Sequence, residues 1–277
     1  MSYKLLVLDV DGTVTNSAKT VTEKTREAII HLQERGVRVV IASGRAPNGV
    51  FPIAQTLHLP RFKSYILAFN GAKIVDLQTR ACIYEKFLPP HIPGDLLKDS
   101  RKHLLGFLTY SDAALAAGTK PDRYMALESQ ISDMPIEYHR NFQVDGAHPV
   151  NGCLLTGKPA HIAQLEPVFT EKYAQETEIF RSEPCFLEIV PKGVDKGHSL
   201  KRLLRLLGIQ REDVVCCGDS FNDITMIKFA GVGVAMANAR DAVKEAADYV
   251  TQNDNDHDGI VEVIERYFPK KRTVYMP

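Results

Sequence analysis

Two apolar tetrads, each ending in an acidic loop and lying more than two hundred residues apart, restrict this chain to a narrow set of folds. The first is Leu5-Leu6-Val7-Leu8, followed by Asp9-Val10-Asp11-Gly12-Thr13. The second is Val214-Val215-Cys216-Cys217, followed by Gly218-Asp219-Ser220-Phe221-Asn222-Asp223. Runs that are apolar at every position suit strands buried on both faces, as in a parallel sheet covered by helices. Ligands of such sheets bind at the carboxyl ends of the strands. If the two strands are neighbours, Asp9, Asp11, Asp219 and Asp223 share one crevice, where like charges repel unless a cation sits among them. Oxygen-only ligands beside a small turn suit a hard ion such as Mg²⁺. Taken singly, either loop also reads as an ordinary turn, since Asp and Gly favour turns for backbone reasons of their own.

The flanking segments alternate strand and helix. Thr22 can cap a helix whose apolar residues Ala28, Ile29 and Leu32 fall at helical spacing, with Gly36 at its end. Residues 37–42 read as a strand leading into Ser43-Gly44-Arg45, and a second helix runs from about Pro47 to Leu57. Residues 64–69 read as a strand ending in Asn70-Gly71, where a hairpin begins. From Glu85 to about Val190 the rhythm changes. Prolines cluster at 89, 90 and 93, and strands at 106–110 and 151–156, a helix at 160–173 and a hairpin over 178–190 follow an α+β pattern. The α/β rhythm resumes with a helix over Lys196 to Leu207 stopped by Gly208, the Val214 strand, a helix over Asn222 to Ala230, a strand at 232–235, a helix at 239–246 and a short strand at 249–251. The expected architecture is a doubly wound, mostly parallel α/β sheet, Rossmann-like in plan, with an inserted α+β domain. The expected division is 1–84 and 191–277 for the sheet and 85–190 for the insertion.

Composition excludes several classes of function. Lys+Arg and Asp+Glu both total 34, so the balanced charge lacks the basic footprint of a nucleic-acid binder. No stretch approaches an unbroken membrane span, and the N-terminus enters a strand without a signal-peptide pattern, so the expected location is the cytoplasm. The five cysteines show no C-x-x-C spacing, and adjacent Cys216 and Cys217 in a strand must face opposite sides, which suits packing by reduced thiols. The basic run Lys270-Lys271-Arg272 is most simply a solvated end.

The loops now take on a collective meaning. Asp9-Val10-Asp11-Gly12-Thr13, Ser43-Gly44-Arg45, Lys196-Gly197 and Gly218-Asp219-Ser220-Phe221-Asn222-Asp223 stand in the order of the four motifs of haloacid dehalogenase-like hydrolases. Together with Asn70-Gly71-Ala72, Gly193-Val194-Asp195-Lys196-Gly197 and the long insertion, they resemble the Cof-type subfamily of sugar-phosphate phosphatases. The resemblance implies a Mg²⁺-dependent phosphatase acting on a small phosphorylated metabolite through an aspartyl-phosphate. It implies no nucleic-acid or membrane partner and sets no oligomeric state.

In that resemblance Asp9 is the nucleophile and Asp11 the general acid/base. The Asp9 carboxylate, the Asp11 carbonyl and Asp219 hold the metal, with Asp223 supporting the site. Gly12 lets the backbone turn sharply, so that N–H groups around Gly12 and Thr13 can meet phosphoryl oxygens. Ser43 donates its hydroxyl to the phosphoryl group, with Gly44 allowing close approach; otherwise Ser43 is a helix cap. Lys196 supplies positive charge to the phosphoryl group and to Asp9; otherwise it is a solvated lysine at a helix start. Asn222 touches the phosphoryl group, although both Asn222 and Asp223 also suit helix capping. Arg45 is a substrate contact or an ion-pair partner, and Asn70 a site residue or a tight turn. His198 reads as packing or solvated. In the insertion, Arg123, Tyr124, Arg181 and Glu188 are candidates for reading the leaving group. A phosphomutase or phosphotransferase using the same aspartyl-phosphate is the alternative activity. A phospho-acceptor receiver is disfavoured by the insertion and by the acid/base position at Asp11.

Overall fold

Strand β1 (Leu5–Leu8) is buried along its whole length and lies between two parallel neighbours, β12 (Val214–Gly218) and β2 (Arg38–Ala42). Register places Leu8 beside Cys217 on one side and Ile41 on the other. The three strand ends therefore deliver Asp9, Asp219 and Ser43 to the same edge. A computed structural model describes residues 3–111, 113–140, 142 and 149–270 of the chain.

The remaining elements follow in chain order. The strands are β3 (Tyr65–Ala68), β4 (Lys73–Asp76), β5 (Cys82–Glu85), β6 (Gly106–Tyr110), β7 (Leu115–Ala117), β8 (Ile136–Tyr138), β9 (Cys153–Thr156), β10 (Thr177–Arg181), β11 (Phe186–Pro191), β13 (Val232–Ala235) and β14 (Tyr249–Val250). The helices are α1 (Glu23–Glu34), α2 (Pro47–Thr56), α3 (Ile92–Lys102), α4 (Arg123–Ser132), α5 (Pro159–Tyr173), α6 (Lys196–Leu207), α7 (Ile224–Phe229), α8 (Asp241–Ala246) and α9 (Gly259–Tyr267). Eight strands form one sheet in the order β14-β13-β12-β1-β2-β3-β4-β5, parallel from β14 to β3 and antiparallel beyond. Successive strands run outward to the two sides of β1 and β12, so the order reverses between them, where open α/β sheets place ligands. A second, six-stranded sheet in the order β10-β11-β9-β6-β7-β8 is built entirely from the chain between β5 and α6.

Alternation within strands explains the layering. Cys216 packs with Leu5, Val7, Leu200 and Leu203 on one face of the large sheet, while Cys217 joins Leu6, Leu8 and Ile41 on the other. In the small sheet, Phe107 and Leu155 pack against α3 and α5, whereas Leu108 and Leu154 face the main core. The second sheet thus lies on the first through an apolar layer.

Local signals set the helix ends. Thr22 caps α1 by accepting from Thr25 N, Asp195 caps α6 by accepting from His198 N, and Gly208 closes α6 in the left-handed conformation. The helix expected from Asn222 begins later. Residues Phe221–Asp223 form a 3₁₀ turn first, because the Asp223 carboxylate folds back onto the N–H groups of Asp219 and Ser220, each at 3.0 Å. Of the basic run at the end, Lys271 and Arg272 lie outside the described residues, and Lys270 is exposed. Among the described residues no helix is long and apolar enough to cross a membrane.

Leu8 has no exposed surface, and truncating it leaves a cavity between three paired strands. Leu8→Ala is expected to lower unfolding free energy by about 2–5 kcal/mol, read as a shifted urea midpoint at unchanged slope. A midpoint equal to that of the parent would contradict the packing described.

Candidate active site

The loop after β1 is held rigidly. Thr13, Val14 and Thr15 N all donate to the Val10 carbonyl, and Asn238 Nδ2 donates to the Gly12 carbonyl at 2.9 Å. Gly12 has φ +78°, and a Cβ there would fall 2.5 Å from Asp219 Oδ2. Glycine is therefore required both by conformation and by the close approach of the acidic loop. Asp9 N donates to the Cys217 carbonyl, which ties the nucleophile candidate to the partner strand.

Lys196 organises the carboxylates. It opens α6 but is completely buried, so the solvated reading of this lysine fails. Its Nζ donates to Asp9 Oδ1 and to Asp223 Oδ1, both at 2.6 Å. Asp223 spends its other oxygen on two backbone N–H groups, which places it as a strut rather than an open ligand. One carboxylate oxygen each of Asp9, Asp219 and Asp223 lie within 4.8 Å of one another. Asp219 Oδ1 accepts from Thr13 Oγ1 at 2.8 Å, so the Thr13 hydroxyl serves Asp219 and not a substrate. The second oxygens of Asp9 and Asp219 accept no hydrogen bond from the described residues. Burial and the Asp223 charge push Asp9 up to about 7, while Lys196 opposes the shift. Burial, Asp9 and Asp223 push Asp219 well above the ordinary carboxylate range. Lys196 moves upward because two carboxylates outweigh its burial. A close, all-oxygen set with surplus negative charge fits a hard divalent cation.

Asp11 faces elsewhere. Arg45 clamps it through Nε to Oδ2 at 2.8 Å and Nη2 to Oδ1 at 2.6 Å, and Lys19 adds a bond to Oδ1 at 2.9 Å. Although burial is the largest single influence and acts upward, the two cations together hold Asp11 below its ordinary value. Its carboxylate stands outside the metal-type cluster, which leaves only its backbone carbonyl for that role. The Ser43 loop is stitched to the Asn70 loop: Asn70 N donates to the Ser43 carbonyl and Phe69 N to the Arg45 carbonyl. Ser43 Oγ accepts from Arg45 N at 3.1 Å, and the cap residue of α2 is Ala46, so the helix-cap reading of Ser43 is incorrect. Asn70 is a turn residue with φ 54° and is fully buried behind the Ser43 loop, outside the residues that line the cleft. Its Oδ1 accepts from Asn222 Nδ2 at 2.9 Å, and its own buried Nδ2, next to Gly44, has no hydrogen-bond partner among the described residues.

These groups open into one cleft shared by both sheets. Its lower wall carries Asp9, Asp11, Ser43, Gly44, Arg45 and Asn222; its upper wall carries Tyr110, Glu128, Ser182, Glu183, Phe186 and Glu188. Of the four candidates in the insertion, only Glu188 lines the cleft. Arg181 pairs with Glu166 and stacks over Phe221, and the exposed Arg123 bonds to Tyr124. His198 is exposed and bonds Asp195. Tyr110, Glu128 and Ser182 were not recognised from the sequence; Glu128 lies on α4, whose apolar periodicity is weak.

Residues 6–264 match the model of the family described as haloacid dehalogenase-like hydrolase. The chain belongs to this family. Similar proteins include the 5-amino-6-(5-phospho-D-ribitylamino)uracil phosphatase YcsE of Bacillus subtilis (strain 168), 32% identical over 96% of this chain and 96% of that protein. Phosphatase YwpJ of the same organism is 29% identical over 92% of this chain and 96% of that one. The crystal structure of a haloacid dehalogenase-like hydrolase from Bacteroides thetaiotaomicron superposes with TM-score 0.86 at 42% identity, covering 96% of this chain and 100% of that one. The expected α/β architecture and an enzyme of the phosphatase class agree with the family and with these relatives.

Burial pushes Glu128 up to about 8 and Glu188 to about 7. Between the unfolded carboxylate range and these values the fold holds more protons than the unfolded chain, so both groups make stability fall as pH rises from about 4.5 toward about 8. Urea titrations in EDTA are expected to show a shallower decline across that window for Glu128→Gln than for the parent. Parallel pH curves would refute the assignment.

Proposed function

We propose that this protein is a Mg²⁺-dependent phosphatase that hydrolyses a small phosphate monoester, a sugar or polyol phosphate, through an aspartyl-phosphate on Asp9. The observation that carries the reading is that Asp9 lines the cleft with one oxygen held by buried Lys196, within a carboxylate cluster shared with Asp219 and Asp223. YcsE, whose name specifies a phosphorylated ribitylamino compound, supports a polyol-bearing leaving group.

Asp9, the Asp11 carbonyl and Asp219 would hold the cation, which supplies charge neutralisation for a dianionic phosphoryl group. Asp9 attacks phosphorus with the oxygen that Lys196 leaves free, and the ester oxygen departs with a proton from Asp11. Asp11 then takes a proton from water, which attacks phosphorus and returns Asp9 and inorganic phosphate. Ser43 Oγ, Asn222 and the unpartnered Asn70 Nδ2 are donors near the developing charge. The Arg45 clamp keeps Asp11 ionised, which suits the second half-reaction. For the first, the arriving phosphoryl group competes for the guanidinium and frees Asp11 to carry a proton. Residues 85–190 act as a cap that excludes water and selects the leaving group.

Phosphate release from a panel of sugar and polyol phosphates tests this directly. Turnover is expected with Mg²⁺, to vanish in EDTA, and to fall by at least about 10³-fold in Asp9→Asn. Activity within about tenfold of the parent in Asp9→Asn would overturn the nucleophile assignment. Labelled phosphoryl groups passing between sugars without phosphate release would replace hydrolysis by transfer.

A further inference from the structure

Two buried glutamates in the upper wall of the cleft have no place in the phosphoryl chemistry. Glu128 comes from α4 and Glu188 from β11, and they are only 6% and 7% exposed. Each is anchored through one oxygen: Glu128 Oε1 accepts from Tyr110 Oη at 3.3 Å, and Glu188 Oε1 from Ser182 Oγ at 2.7 Å. Neither second oxygen accepts a hydrogen bond from a described residue. Both carboxyls line the cleft of Asp9 and Asp11. Beyond the effect of burial, the Glu188 charge pushes Glu128 upward, while the Ser182 hydrogen bond and, from the phosphoryl end, Lys196 pull Glu188 downward. No cationic side chain forms an ion pair with either among the described residues. A buried carboxyl without its full set of partners is costly, so a hydroxyl that can donate or accept there gains at any pH, and above about pH 8, where both carboxyls are ionised, a group that brings an anion is repelled.

We propose that Glu128 and Glu188 form the specificity wall for the leaving group, selecting a neutral, hydroxyl-bearing end and rejecting one that carries a carboxylate or a second phosphate. Tyr110 and Ser182 are positioning residues that aim the two carboxyls. The inference rests on the phosphatase reading for its substrate orientation, with the phosphate at Asp9 and the remainder of the molecule against the wall. Arg45 and Lys196 serve the phosphoryl end through Asp11 and Asp9, where a bound cation would supply the remaining positive charge, whereas no cationic side chain pairs with the wall on the leaving-group side among the described residues.

Sorbitol phosphate and phosphogluconate, phosphorylated at the same end, differ at the remote end only in CH₂OH against carboxylate. At about pH 9, where both glutamates are ionised, the parent enzyme with Mg²⁺ is expected to favour sorbitol phosphate in kcat/KM by about a hundredfold or more. Glu128→Gln and Glu188→Gln should each reduce that ratio by about tenfold. Glu166→Gln, which removes an ion pair outside the cleft, should leave it in place. Because the readout is a ratio, a partly unfolded variant does not imitate the effect. A parent ratio near one, or a ratio that neither Gln variant moves, overturns the proposal while leaving hydrolysis intact. Calorimetric binding of the same pair to Asp9→Asn separates the two claims. Preferential binding of sorbitol phosphate without turnover in the parent would keep the wall and discard the phosphatase, and equal binding would discard the wall.

Discussion

A single buried ammonium sets the geometry of this site. Lys196 bonds both Asp9 and Asp223 with no exposed surface, and removing it would leave two carboxylates buried beside Asp219. Such an unbalanced cluster costs far more than the pair itself contributes, because burial penalises uncompensated charge. The ammonium also divides labour among the acids. Asp223 is consumed as a strut between Lys196 and the backbone of its own loop, Asp9 retains one oxygen, and Asp219 is aimed by Thr13. One cation among three carboxylates leaves negative charge over, which is the condition for recruiting a divalent ion.

The second sheet completes the cleft by contributing residues that the first cannot supply. The turn between β10 and β11 reaches the acidic loop, where Ser220 Oγ donates to the Ser182 carbonyl and Arg240 pairs with Glu183 at 3.1 Å. These few polar contacts at the rim sit beside an apolar layer that includes Leu108, Leu154 and Phe186. The arrangement combines an apolar seat with a few polar contacts at its rim. The same turn carries Ser182, whose hydroxyl donates to Glu188, so the rim contacts and the upper wall of the cleft belong to one turn.

Much of this was legible in the residues, for identifiable reasons. The apolar tetrads before Asp9 and Gly218 had no polar face, so only a doubly covered sheet could bury them, and they are adjacent strands. Helix α6 was readable to its ends because Asp195, Lys196 and Gly208 are strong local signals. By contrast, α4 has a mixed surface and hides Glu128, because its burial comes from the sheet it packs on rather than from its own periodicity. Arg45 could not be linked to Asp11 from spacing, since an ion pair between side chains in separate loops leaves no sequence signature, and Lys19 reaches Asp11 only through the fold of their shared irregular loop. Arg123, Tyr124 and Arg181 were reasonable by chemistry and misplaced by orientation.

The chain by itself determined the strand ends that carry the acids, the glycine at position 12, and the order of loops that brings the family to mind, because burial patterning and backbone freedom are local properties. The tertiary structure decided which oxygens remain open, since Lys196 reaches Asp9 and Thr13 reaches Asp219 from distant positions. It also decided that Asp11 is clamped and that two glutamates from the insertion face the same cleft. Electrostatics and hydrogen bonding act through space, and only the packed sheets bring those groups within reach of one another.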